Sequence, residues 1–276
     1  MASPARPRRA RPSLARWLLI GVSTLILLFV ALPTLIVVPV SLSATEYLSF
    51  PPQELTLDWY HEFLTDPDWI RATMLSIQIA FVVAILSLVI GTMAALAMVR
   101  GLGGSGWMSV IASAPLIIPT IIYAIAILLF FSQLKIAGSF QGFVLAHTAL
   151  ACPYVVIIVS AALYRSDPSL ELAAMNLGAS RPRAIWEVTL PGIRPALVTG
   201  AAFAFLTSFD DATVSFFLAN LSDMTLPRKM FENLQFFISP VLAVVATLLT
   251  VFTLALVGGL SIWQSRRGAQ TTIPTE

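Results

Sequence analysis

The run from Asp167 to Pro195, DPSLELAAMNLGASRPRAIWEVTLPGIRP, is a polar island of almost thirty residues in a chain that is otherwise nearly all apolar spans. Its left half predicts a short amphipathic helix. Asp167 can accept a hydrogen bond from an orphan N–H at the helix start, and Pro168 suits the first helical position. Gly178 tolerates the positive φ that ends a helix and turns the chain. The right half, AIWEVTLP after Arg181-Pro182-Arg183, predicts a second short helix stopped by Pro191 and Pro195. Leu170, Leu172, Met175 and Leu177 supply apolar area that so short a helix cannot bury alone, and Ala173 and Ala174 are small enough for another backbone to come close. A helix, a glycine break and a second helix make a docking element for a soluble partner.

Working outward, the chain of 276 residues is 58% hydrophobic and only 11% charged. A soluble domain carries about 25% charged residues, so this composition excludes one. Six apolar stretches are long enough to cross a bilayer at about 20 residues each: residues 17–40, 72–99, 108–133, 140–164, 196–219 and 238–263. The first is too long for a signal-peptide core and is kept as a span. The island lies between the fourth and fifth spans. With an inside N-terminus, Arg6, Arg8, Arg9, Arg11, Arg16, Arg100, Arg165, Arg181, Arg183, Arg194, Arg266 and Arg267 fall on the island's side. Only Arg71, Lys135, Arg228 and Lys229 fall on the other, 12 against 4 of the 16 basic residues. The excess of basic residues on cytoplasmic loops places both termini and the island in the cytoplasm. The same rule accounts for the arginine-rich N-terminus without nucleic acid. The outer segment 41–71 is acidic, with Glu46, Glu54, Asp58, Glu62, Asp66 and Asp68.

These residues resemble the EAA loop of permease subunits from binding-protein-dependent ABC importers. That pattern runs Glu-Ala-Ala, three residues, Gly-Ala, then a hydrophobic stretch ending Leu-Pro. Ala173, Ala174, Gly178, Ala179, Ile185, Val188, Leu190, Pro191 and Pro195 fall on the family positions. Leu172 stands where the family has Glu, and the acid, Glu171, comes one residue earlier. A helix turns about 100° per residue, so Glu171 projects from a different side. The resemblance implies an all-α type I permease fold in one transmembrane domain over 1–276. Cytoplasmic tails at 1–16 and 264–276, an outer loop at 41–71 and a coupling loop at 165–195 complete it. Glu171, Ala173, Ala174, Gly178, Ala179 and Pro191 are the expected ATPase-coupling residues. The implied partners are a second homologous permease, two ATPase subunits and a periplasmic or lipid-anchored solute-binding protein, all in a bacterial inner membrane.

Hydrolysis of ATP by this chain would need a glycine-rich loop ending Gly-Lys-Ser/Thr. Its two lysines, Lys135 and Lys229, follow Leu134 and Arg228. The chain is therefore expected to bind no cofactor and to act as no enzyme, with ATP and Mg on the partner. The single cysteine, Cys152, and the distant His61 and His147 form no metal-ligand spacing.

The second informative stretch is TSFDDATVSFF, Thr207 to Phe217. Adjacent Asp210 and Asp211 inside an apolar span are costly and ordinarily face a cavity. Together with LPRKM at 226–230 and LTLDWYHEFLTDPDW at 55–69, the stretch resembles the spermidine/putrescine-type permeases. Two readings stay open for the acid pair. Either it lines a pathway for an organic cation, with Phe203, Phe205, Phe209, Phe216 and Phe217 offering cation–π surface, or it orders an outer gate by pairing with Arg228, Lys229 or backbone N–H groups. His147 is expected as a satisfied interior histidine, and Pro115 and Pro119 as helix breaks packed in the bundle. Permeases for iron, thiamine, aminophosphonate or opines share this architecture. An ion-coupled secondary transporter using Asp210, Asp211 and His147 is the rival class, although its usual internal repeat is not found.

Overall fold

The computed structural model describes residues 14–46, 50–101, 105–219, 224–236 and 239–268. The expectations for the arginines before residue 14 and for the end of the C-terminal tail lie outside them. Within the described residues every regular element is helical. A first long helix α1 (Leu14–Val40) leads to a short α2 (Asp58–Thr65) and then α3 (Pro67–Val99). After α4 (Ser105–Ile117) and α5 (Thr120–Gln133) comes α6 (Phe140–Arg165). The island folds as α7 (Pro168–Asn176), α8 (Arg181–Ala184), a π-helical turn (Ile185–Thr189) and α9 (Leu190–Gly192). The chain finishes with α10 (Arg194–Phe209), α11 (Thr213–Leu218), α12 (Leu226–Phe236) and α13 (Val241–Gly268).

Four of the predicted spans, α1, α3, α6 and α13, are single long apolar helices. The other two are broken: the break expected at Pro119 is present, whereas Pro115, also expected as a break, lies inside α4. The third span bends by 104° between α4 and α5 at Ile118-Pro119, because Pro119 lacks the N–H that a continuous helix needs and restricts the residue before it. The fifth stops at Phe209 and resumes at Thr213, where Asp211 turns its carboxylate onto the backbone instead of pointing away. The outer loop also differs from expectation: it contains all of α2 and the first turn of α3. Asp66 caps α3 by accepting the N–H of Asp68 (2.8 Å) and Trp69 (2.9 Å), with Pro67 at the first position.

Contacts between helix ends show that α4–α5 and α10–α11 each lead from one face of the bundle to the other, and a 77° bend at Ile193 separates α10 from the island. Arg100, at the end of α3, reaches Ser166 at the end of α6 (2.9 Å), so α3 and α6 end on one face and α4–α5 carries the chain to the other. Leu226 at the start of α12 donates its N–H to Ser76 in the first third of α3 (2.7 Å), so α10–α11 also crosses. Val37 near the end of α1 accepts from Thr247 near the start of α13 (3.4 Å). Six crossings result, with the start of α1, the end of α13 and the island on a common face.

The centre of the bundle is α3, α6 and α10, joined at Val155. Gly91 of α3 and Gly200 of α10 both press their backbones onto that side chain, the close approach that small residues permit between helices in lipid. A Cβ added at Gly91 would lie 2.7 Å from Val155 Cβ and 3.3 Å from the Cys152 carbonyl oxygen. Gly91→Leu is therefore expected to lower thermal stability in detergent by about 1–3 kcal/mol through overpacking. Gly258→Leu, with nothing within 4 Å of its added Cβ, is expected to leave the melting temperature unchanged. By contrast α1 packs chiefly along α13 and exposes apolar side chains such as Leu25, Leu27 and Phe29 along its length, a surface suited to membrane lipid.

Candidate functional site

Two places gather the residues singled out in the sequence: the island on one face and the break in the fifth span. In the island, Asp167 accepts the Ser169 N–H (2.9 Å) ahead of Pro168, as its sequence predicts. That hydrogen bond, with one from the Ser169 hydroxyl, holds the Asp167 carboxyl below the ordinary carboxylate range. Gly178 takes φ +94°. Its N–H reaches the Met175 carbonyl (3.0 Å) and the Ala179 N–H reaches Ala174 (3.0 Å), the paired bonds of a Schellman turn. Leu170, Leu172, Met175 and Leu177 are all exposed, Leu177 at 90%. Ala173 is exposed and Ala174 and Ala179 half-buried beside them. The island thus presents an exposed apolar patch with small residues in it.

Two expectations for the island change. Pro191 does not stop the second helix: the helix runs through it to Gly192 and breaks at Ile193. A proline ring collides with the carbonyl four residues back in a regular α-helix, and the wider π turn just before it relieves that collision. Glu171 does not join the exposed patch. It is buried, with Oε2 3.3 Å from Arg100 Nε and accepting the Thr189 hydroxyl at 3.1 Å. The one-residue offset from the family position is what turns it inward, leaving Leu172 outside.

At the break in the fifth span, the two adjacent aspartates have separate surroundings. Asp211 Oδ2 accepts the N–H groups of Val214 (2.8 Å) and Ser215 (3.2 Å), capping α11. The same oxygen lies 3.7 Å from His147 Nε2. His147 is buried, and its Nδ1 meets the carbonyl (3.1 Å) and hydroxyl (2.9 Å) of Ser208. A carbonyl only accepts, so Nδ1 carries a proton. Through Nδ1, His147 ties α6 to Ser208 at the end of α10, a positioning role the sequence could signal only as a lone polar residue in an apolar span. Lys229 and Arg228 are occupied elsewhere: Lys229 by Asp66, Asp68 and the Trp69 ring, Arg228 by the Phe216 ring and carbonyl.

The Asp210 carboxylate has no hydrogen-bond or ion-pair partner among the described residues, its backbone N–H alone bonding to Leu206 (2.9 Å). It opens into a cavity of about 810 Å³ between the third, fourth, fifth and sixth spans, lined also by Pro115, Tyr154, Phe203, Phe209 and Asp211. The size falls within the range of small-molecule sites, roughly 300–1,000 Å³. Phe209 stacks on Phe205 (5.5 Å between centroids) and against Phe252 (5.9 Å), so one aromatic wall is fixed. Asp210 also borders a second space of about 630 Å³ on its other side, walled by Val37, Met230, Phe231 and Leu242. Phe216, expected with Phe209 at the pathway, lies apart from the larger cavity under the Arg228 guanidinium, 4.1 Å from its ring centroid. The α11 helix turns it away from Asp210.

Residues 87–262 match the family described as "Binding-protein-dependent transport system inner membrane component". The putrescine transport system permease protein PotI of Escherichia coli (strain K12) is 34% identical over 199 residues, covering 69% of this chain and 71% of that protein. The spermidine/putrescine transport system permease protein PotC of Haemophilus influenzae is 30% identical over 231 residues, 83% of this chain and 89% of that one. Among solved structures, a chain of a bacterial ABC transporter that imports the acidic polysaccharide alginate superimposes with a TM-score of 0.68. It covers 95% of this chain and 99% of its own at 14% identity.

Proposed function

The chain belongs to the family of binding-protein-dependent transport inner membrane components, the permeases of ABC importers, and we propose that it forms half of a pathway for putrescine, spermidine or a closely related polyamine. It is a multi-pass inner-membrane protein and, as a transport permease, not itself an enzyme. The observation that carries the substrate reading is Asp210, a carboxylate without a partner on a membrane-embedded cavity of aromatic and aliphatic side chains. A polyamine alternates ammonium groups with short methylene runs. One carboxylate takes an ammonium, Phe203 and Phe209 take methylenes or a second cation, and Asp211, held by the backbone of α11, shapes the break. The relatives named for putrescine and spermidine support the same substrate class.

In this reading the basic face is cytoplasmic. Of two ATPase subunits holding ATP and Mg, one docks on the apolar patch around Leu172 and Leu177 and the other on the second permease. A homologous permease completes the pathway, and a solute-binding protein delivers polyamine to the acidic opposite face. Closure of the ATPases pulls the loop at 167–191, tilts the fourth and fifth spans and opens the cavity outward. Purification of the chain from native membranes in mild detergent is expected to bring down a second permease and an ATPase. Putrescine uptake by the reconstituted complex is expected to stop when the ATPase's phosphate-binding lysine is replaced. Uptake that continues on an ion gradient with that ATPase inactive would instead establish a secondary transporter.

A further inference from the structure

We propose that Arg100 is the joint through which movement of the docking loop enters the second span, so that the loop drives α3 as well as the fourth and fifth spans that flank it in sequence. This inference rests on the reading that the loop receives the ATPase. Arg100 sits at the C-terminal end of α3, 66 to 89 residues away in the chain from everything it or its bonded carboxylate holds. Its guanidinium donates from Nη2 to the Ser166 hydroxyl (2.9 Å) at the end of α6. Its Nε lies 3.3 Å from Glu171 Oε2 in α7. Its backbone carbonyl accepts from Arg181 Nη2 in α8 (2.9 Å). Through Glu171 the contact continues to the Thr189 hydroxyl in the π turn (3.1 Å). Four consecutive pieces of the loop region, α6, α7, α8 and the π turn, therefore converge on the last residue of one span.

The chemistry makes this joint stiff and directional. The Arg100 and Glu171 side chains are only 13% and 9% exposed, and a charge pair sheltered from water is screened far less than one on the surface. Separating it leaves an uncompensated buried charge, so pulling α7 away from Arg100 is opposed and α3 follows. Around this pair the loop has little else to hold it in place: α7 buries Glu171 alone, and the remaining buried side chains of α8, the π turn and its exit are Ala184, Thr189 and Ile193. The π turn gives Thr189 its inward aim, and such turns recur at sites of function. Because α3 packs along both α6 and α10 through Gly91 and Val155, a displacement entering at Arg100 moves the centre of the bundle as a unit.

The experiment uses the full complex with its ATPase and binding protein in proteoliposomes, reading polyamine moved per ATP hydrolysed alongside the amount of ATPase that copurifies. Glu171→Gln keeps the shape and an acceptor for Thr189 while removing the charge opposite Arg100. It is expected to retain the ATPase and hydrolysis but lower the transport-to-hydrolysis ratio by about tenfold, a loss typical of severed coupling between sites. Arg100→Gln is expected to do the same. Arg100→Lys, which preserves the ion pair, is expected to keep the ratio within about twofold of the parent, well inside that range. An unchanged ratio in Glu171→Gln, or equal loss in Arg100→Lys and Arg100→Gln, overturns the proposal. Failure of the unaltered chain to retain any ATPase would instead remove the docking reading on which it rests.

Discussion

Gly178→Val is expected to leave the chain inserted in the membrane and to strip the ATPase from the purified complex. The glycine sits at φ +94° with open space around it, so the obstacle is backbone conformation and not crowding. An L-residue held in a left-handed conformation costs roughly 1–2 kcal/mol, and a β-branched one is a true outlier there. The strain is relieved by opening the turn, which breaks the bonds from Gly178 to Met175 and from Ala179 to Ala174. Leu172 and Leu177 then no longer share a surface with α8. The six crossings do not depend on this turn, since their packing runs through α3, α6 and α10. Pull-down of the ATPase with a tagged permease, paired with a membrane-fraction blot, reads both halves of the expectation. Full recovery of the ATPase with Gly178→Val would remove the docking role from this loop. Gly178→Ala, without the branch, is expected to lose only part of it.

Replacing Asp210 by Asn is expected to cut putrescine uptake by roughly ten- to a hundredfold, the worth of about 1.5–3 kcal/mol for a hydrogen bond to a charged group. The melting temperature of the permease is expected to stay where it was, because the Asp210 carboxylate bonds to nothing in the described residues. Asp211→Ala is expected to behave in the opposite manner. It removes the cap on Val214 and Ser215, a loss of about 0.5–2 kcal/mol, so stability falls. Uptake of labelled putrescine into proteoliposomes, set beside thermal unfolding of the same preparations, separates the two residues. If Asp210→Asn transports normally, the carboxylate plays no part in the pathway and the polyamine reading rests on the relatives alone.

Much of the architecture was legible beforehand because hydropathy and backbone chemistry act over short stretches of chain. The six crossings follow from runs long enough to span lipid, and the Asp167 cap and Gly178 turn from the side chain or its absence at a single position. Local signals failed where two outcomes differed only in what lay opposite. Pro115 and Pro119 both read as breaks, yet only Pro119 is one, and nothing in the hydropathy across it sets the 104° of the bend. Phe216 shares its apolar composition with Phe209, yet the interruption at 210–212 sends it to Arg228.

Composition, the count of basic residues and the spacing of alanine, glycine and proline in one loop determined that this chain is a multi-span membrane protein with a polar helix-turn-helix island before its last spans. Only the tertiary structure decided which of two adjacent aspartates is free, and that Glu171 serves Arg100 instead of a partner. Those outcomes depend on contacts across 61 to 71 positions of chain, from His147 to Ser208 and from Arg100 to Glu171. A carboxylate in a low-dielectric bundle takes whichever donor the packing brings within reach, and no property of neighbouring residues along the chain specifies which donor that is.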